Sequence, residues 1–97
     1  MTVRRVSITL VTTQVDACRE FHTRHFGAHT QFDCGWYVVL RFGTGADAAE
    51  LAFMAPREGI PPTAGALVNL YVDDVDALHA RCVAAGLPIL APLEDHD

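Results

Sequence analysis

Residues 6–27 read VSITLVTTQVDACREFHTRHFG and residues 66–86 read ALVNLYVDDVDALHARCVAAG; laid over one another, the two stretches decide the fold. In the first, Val6, Ile8 and Leu10 alternate with Ser7, Thr9 and Val11, the period of a half-buried strand. A helix follows over 15–26. Thr13, with Asp16 three residues on, resembles a capping box carrying Asp in place of Glu, and Gly27 stands where a left-handed C-terminal residue belongs. The inward stripe of this helix is Val15, Cys18, Phe21 or His22, and His25 or Phe26, at three- to four-residue spacing. In the second stretch, Val68, Leu70 and Val72 alternate with Leu67, Asn69 and Tyr71, predicting a strand over 66–72. Asp73 or Asp74 then caps a helix over 75–85 with a stripe at Val75, Leu78, Cys82 and Ala85, which Gly86 ends and Pro88 stops from continuing. Val15-Asp16-Ala17 recurs as Val75-Asp76-Ala77, sixty positions later. At the same offset Ile8 meets Val68, Leu10 meets Leu70, and Gly27 falls within a residue of Gly86. Three identities alone could be chance; a strand, a cap, a helix and a terminal glycine in one phase make an internal repeat.

Between the two units lie three short extended runs, at 30–34, 36–42 and 50–54. Gly35 separates the first two, and a hairpin loop, GTGAD at 43–47, joins the second and third. Residues 1–55 therefore read as βαβββ. The Pro- and Gly-rich stretch 56–65 (PREGIPPTAG) is a connector, and residues 66–97 begin the pattern again with a strand, a helix and the start of another strand at 88–90. Two full units need about 115–125 residues, so the second is expected to be incomplete. An uncovered sheet edge near 66–72 or 88–90 is expected as well, covered by a homodimer. A ferredoxin-like βαββαβ sandwich is the alternative α+β plan. It accounts for a single strand after the second helix, but less well for the run 50–54 and the sixty-residue offset.

Composition bounds the function. The chain has 97 residues, 51% of them hydrophobic, and a net charge of −5, which fits one globular domain with a modest core. All seven basic residues are arginines and they are scattered (Arg4, Arg5, Arg19, Arg24, Arg41, Arg57, Arg81). No basic face gathers for nucleic acid or an anionic membrane. No apolar run approaches the roughly 18–20 residues of a membrane span, and the first residues lack the apolar core of a signal peptide. Cys18, Cys34 and Cys82 are odd in number and lack metal-site spacing, so they read as thiols in a reducing cytoplasm.

The ordered set of motifs resembles the vicinal oxygen chelate superfamily, which includes glyoxalase I, bleomycin-resistance proteins and extradiol dioxygenases. The residues that carry the resemblance are Ile8-Thr9-Leu10-Val11, then Val15-Asp16, Phe21-His22 and Phe26-Gly27, the run Glu50-Leu51-Ala52-Phe53-Met54, and Val72-Asp73-Asp74-Val75-Asp76-Ala77. The resemblance implies paired βαβββ modules, each curling into a half-barrel with a ligand or metal on its concave side. It also implies metal ligands near the start of the first strand and on the fourth strand of each module. Those positions fall on Ser7, Leu67 and Glu50, and the last lies beyond Asp97. Ser7 is a poor ligand and Leu67 is none, and one carboxylate does not hold a divalent cation against water. Glu50 is thus the only match to the family's metal positions, and neither a metal nor another cofactor is expected.

Other residues add no chemistry of their own. His22 and His25 lie three apart on the helix, with His29 beyond, but the spacing matches no zinc motif. They read as one histidine in the apolar stripe with the others solvated. Cys34 has nothing basic beside it to activate a thiolate, and His96 sits in an acidic tail. No catalytic residue is assigned.

What remains is a concave surface for an organic ligand. If Ile8 and Leu10 pack on the helix, then Ser7, Thr9 and Val11 face the cup, as do Tyr37, Val39, Arg41, Glu50, Ala52 and Met54 from the third and fourth strands. Leu67, Asn69 and Tyr71 join from the second unit. Ser7, Thr9, Tyr37, Arg41, Glu50, Met54, Leu67, Asn69 and Tyr71 are the candidate ligand-binding residues, with stacking on Tyr and Trp and polar anchoring by Arg41, Glu50 and Asn69. Two blander readings stand beside this one: Arg41 and Glu50 as a simple cross-strand salt bridge, and the tyrosines as packed core. A one-residue slip would exchange the roles of Trp36 and Tyr37. The leading expectation is a metal-free, cytoplasmic binding protein of the bleomycin-resistance type, sequestering an aromatic or amphipathic small molecule such as an antibiotic. The alternative is a divalent-metal-dependent glyoxalase- or dioxygenase-like enzyme whose remaining ligands lie outside this segment. A third reading is an assembly domain whose cup is filled by its own side chains.

Overall fold

The computed structural model describes residues 1–46 and 48–90. The elements run β1 (Ile8–Val11), α1 (Val15–Phe26), β2 (His29–Asp33), β3 (Tyr37–Phe42), β4 (Ala49–Met54) and α2 (Val75–Ala84). The chain divides into two compact units, Met1–Ala66 and Leu67–Asp97. The first is a complete βαβββ module. Three strands follow α1, one more than a ferredoxin-like plan places between its helices, so that alternative is set aside.

The four strands form one sheet in the order β1-β4-β3-β2. β1 runs parallel to β4, with Ile8 beside Leu51 and Leu10 beside Phe53. β3 is antiparallel to β4, pairing Val38 with Phe53, Leu40 with Leu51 and Arg41 with Glu50. Partners across a ladder share a face, so Leu10, Val38, Leu40, Leu51 and Phe53 all lie on the side that α1 covers. Val38, Leu40, Leu51 and Phe53 with Val15 and Ala28 make the buried core, and Leu10, Cys18 and Phe42 pack against it. Val38 and Leu40 have no exposure at all, and each such side chain contributes about 1.5–3 kcal/mol by leaving water.

The ends of α1 show what the periodicity missed. The expected Thr13–Asp16 capping box does not form. The helix covers the expected 15–26, which puts Gln14 and not Thr13 at the N-cap, with no side-chain cap, so Asp16 stands one place too early to close a box. Thr12 Oγ1 accepts from the Gln14 N–H at 3.0 Å instead. Gly27 takes the left-handed C-cap conformation at φ 71°, as its position predicts. Of the two choices for the stripe, His22 is the inward one. Its ring lies 5.2 Å from that of Phe53 and 6.4 Å from that of Phe42, whereas Phe21 is exposed. The ring is held by Nδ1, 2.8 Å from the Cys18 carbonyl.

The connector folds back on the free edge of β1. The Thr63 N–H donates to the Val11 carbonyl and the Val11 N–H donates to Thr63 Oγ1, both at 2.8 Å. An open strand edge is thereby capped by a side chain and a backbone amide.

In the second unit the sequence expectation needs correction. Residues 66–72 form no strand, and neither do residues 88–90. Alternation assigns two faces to a segment, but a strand also needs a neighbour to receive its N–H and C=O groups. Among the described residues none pairs with 66–72. Leu67 and Tyr71 are accordingly 87% and 96% exposed. α2 is present, and Asp74, the second of the two candidate caps, accepts from the Ala77 N–H at 3.0 Å. Its expected apolar stripe is not buried: Val75 is exposed, and no α2 residue is buried. The acidic tail with His96 lies outside the described residues. Among the described residues no helix is long and apolar enough to cross a membrane.

Candidate functional site

The same register that buries Leu40 and Phe53 under α1 sends their neighbours to the opposite, open face of the sheet. Thr9 lies beside Ala52, Val39 beside Ala52 on the other side, Tyr37 beside Met54, and Arg41 beside Glu50. Five of the candidate residues (Thr9, Tyr37, Arg41, Glu50 and Met54) therefore share one face. The tyrosine is at neither a packed core position nor a slipped one: its hydroxyl lies 3.5 Å from Thr9 Oγ1, across the strand that carries the small Ala52. Ser7 precedes β1 and is exposed outside the ladder. Leu67, Asn69 and Tyr71 belong to the second unit, where they sit in no strand.

At one end of this face stands a charged cluster. Glu50 Oε2 is 3.3 Å from Arg41 Nε and 3.3 Å from Arg5 Nη1. The carboxylate side chain is only 10% exposed, whereas that of Arg5 is 52% exposed. Arg41 Nη2 donates to the Gly45 carbonyl at 2.6 Å, so the β3–β4 hairpin fixes the plane of the guanidinium. Arg41 Nε is buried without a hydrogen bond of good geometry; its approach to Glu50 is close enough for an ion pair but poorly aligned.

Two residues of this face were not foreseen. Arg5 comes from a segment with no periodicity, and nothing in the sequence marks its reach to Glu50. Phe32 is brought to the face by a bulge. Thr30 pairs with Leu40 but Phe32 pairs with Val39, so the irregularity at Gln31 puts two residues that simple alternation keeps together on opposite sides. The rings of Phe32 and Tyr37 meet edge-on at 6.2 Å. Trp36 stands at the border of this face, its ring meeting that of Tyr37 edge-on at 5.8 Å. It lines an open cleft of about 380 Å³ with Gly35, Ala55 and the first turn of α1, and the Arg57 guanidinium lies 4.4 Å over its ring. The Trp36 ring that the sequence expectation put to stacking thus touches the Tyr37 ring while Arg57 lies over it.

A divalent cation does not fit the residues at the family's metal positions. The carboxylate oxygen of Glu50 is already held by two guanidiniums, Ser7 offers only a hydroxyl, and Leu67 has no donor. Among the described residues no three His, Cys, Asp or Glu side chains gather as a metal-binding group. Nor does Cys18 suggest a nucleophile: burial pushes its thiol up, against a smaller lowering by a hydrogen bond with Thr12, so its thiolate is scarce near neutral pH. On the outer side of the sheet Arg19 bridges Asp33 at 2.9 Å and Asp16 at 3.2 Å, pinning α1 to β2.

Comparison with known proteins agrees with this architecture. A family model described as the Glyoxalase/Bleomycin resistance protein/Dioxygenase superfamily matches residues 4–97. Among solved structures, the chain is similar to a bleomycin resistance determinant encoded on the transposon Tn5. The TM-score is 0.65 at 20% sequence identity, covering 93% of this chain and 71% of that one. No curated protein is matched by sequence.

Proposed function

We propose, from the premise that this chain belongs to the glyoxalase/bleomycin resistance protein/dioxygenase superfamily, that it binds a small organic molecule on the open face of its four-stranded sheet. The observation that carries this reading is the composition of that face. It joins two aromatic rings, Phe32 and Tyr37, the half-buried Val39 beside a buried Ala52, a hydroxyl pair, and a charged cluster at one end. An apolar surface with a few fixed polar groups is the usual make-up of a small-molecule site. Function would then be affinity and burial, with no bond made or broken, a reading in keeping with a structural neighbour that is a bleomycin resistance determinant. The part of the reading that concerns assembly is a homodimer. It is supported by the exposed apolar run at Leu67, Val68, Tyr71 and Val72, and a monomer in sedimentation equilibrium would remove it.

The binding reading is tested by titrating labelled protein with small aromatic fragments and following backbone amides by NMR. Shifts are expected at Thr9, Tyr37, Val39 and Ala52, and a Tyr37→Ala variant should weaken them. Perturbation confined to residues 13–17 and Trp36 would move the site to the cleft beside α1 and overturn this assignment.

A further inference from the structure

Two guanidiniums meet one carboxylate on the open face, and both contacts fall on the same oxygen, Glu50 Oε2. A cross-strand ion pair between β3 and β4 needs only Arg41. Among the described residues, the arrival of Arg5 leaves the cluster with one positive charge in excess, on a chain whose net charge is −5. The cluster is also short of acceptors. Arg41 Nε is buried without a well-formed hydrogen bond, and a buried donor left in that condition is costly. Arg41 Nη2 is committed to the Gly45 carbonyl, while Nη1 takes part in neither contact. Arg5 is half-exposed, and its long side chain can turn from Glu50 to a second acceptor without leaving the site.

From this excess we infer that the ligand of the open face is an organic anion: a flat aromatic body bearing a carboxylate or sulfonate, with the negative group at Arg5 and Arg41 and the ring on Phe32 and Tyr37. Four residues along a strand separate Tyr37 from Arg41, about 13 Å, with the half-buried Val39 between them and its partner Ala52 buried beside it. A fused bicyclic acid spans most of that distance. Guanidinium is suited to the task because its planar fork donates two hydrogen bonds to a carboxylate, and because it sheds water more readily than an ammonium. Glu50 acts as the placeholder. It holds both arginines in position in the empty site and competes with the incoming anion for them. The inference rests on the binding face proposed above and specifies the charge of what it takes.

The test is isothermal titration of the full chain with three compounds that share one ring system: 2-naphthoate, 2-naphthylmethanol and 2-naphthylmethylammonium. Naphthoate should bind about tenfold more tightly than the alcohol, the margin of a charge-assisted over a neutral hydrogen bond, with the ammonium weakest. The advantage should shrink as salt rises to about 0.15 M. Arg5→Ala, at a half-exposed position, should lose most of that margin, and Glu50→Gln should tighten naphthoate binding by removing the competing carboxylate. Circular dichroism confirms that each variant is folded. Equal affinity for naphthoate and the alcohol, or weaker naphthoate binding in Glu50→Gln, overturns the charge assignment and leaves the binding face standing. Tightest binding of the ammonium does the same. Failure of all three compounds to bind removes both.

Discussion

Leu40 and Val39 are neighbours in β3 whose side chains leave the strand in opposite directions, and replacing each with Ala measures which way the sheet faces. Leu40 has no exposure and packs between Val38, Leu51 and Phe53 beneath α1. Leu40→Ala removes three carbons, each worth about 0.8 kcal/mol of transfer. The surrounding ladder cannot collapse into the space, so a cavity cost is added and the total reaches about 3 kcal/mol. Val39→Ala removes two carbons from a half-buried side chain on the open face, and the expected loss is about 1 kcal/mol or less. In a domain of this size the first change lowers the thermal midpoint by at least about 12 °C. Urea denaturation followed by far-UV circular dichroism gives both values. At a temperature where both variants are folded, only Val39→Ala should change the affinity for an aromatic fragment, because Leu40 never touches that face. A Val39→Ala loss equal to or larger than that of Leu40→Ala would refute the face assignment, and with it every residue placed in the site.

Two further outcomes follow from particular side chains. Iodoacetamide near neutral pH should alkylate exposed Cys34 well before Cys18, whose thiol burial pushes up. Raising the pH supplies the missing thiolate and should narrow the gap, and peptide mass mapping that finds Cys18 modified first would contradict this environment. Gly27→Ala should cost about 1 kcal/mol in thermal denaturation, entirely from the left-handed backbone at φ 71°, since nothing lies within 4 Å of the added methyl group. A neutral result would mean that α1 ends differently.

The first module was legible because its local signals agree with its packing. Alternation in 37–42 and 50–54 gives the same two faces that the ladder gives, and Gly27 marks the end of α1 in both. The candidate residues on β1, β3 and β4 were placed by that alternation. What escaped depended on chain geometry that periodicity does not encode. A single bulge at Gln31 carries Phe32 to the open face, and an N-cap that falls on Gln14 and not on Thr13 dissolves a capping box that the sequence suggests. Arg5 reaches Glu50 from a segment with no pattern at all. The run 66–72 has a strand's alternation without a ladder partner among the described residues, and pattern alone does not supply one.

The cluster at Glu50 also explains how one fold can carry either metal chemistry or binding. The family resemblance puts a metal ligand at Glu50, where a carboxylate would meet a divalent cation together with other donors. Here β3 sets Arg41 directly opposite, and Arg5 arrives from the N-terminal segment. The positive charge that would face a ligand is thus supplied by the chain itself. A cation at that carboxylate would have to displace two guanidiniums from one oxygen and replace them with ligands that Ser7 and Leu67 do not offer. Positive charge remains, so attraction for an anionic group remains. The coordination position that a divalent metal would offer does not. Removing both arginines would leave the carboxylate free, yet a single carboxylate still lacks the convergent donors that a divalent cation needs. An Arg5→Ala, Arg41→Met double variant is therefore expected to lose anion binding without gaining divalent metal. Metal uptake in equilibrium dialysis by that variant would show that the guanidiniums, and not the missing donors, are what keep a cation out.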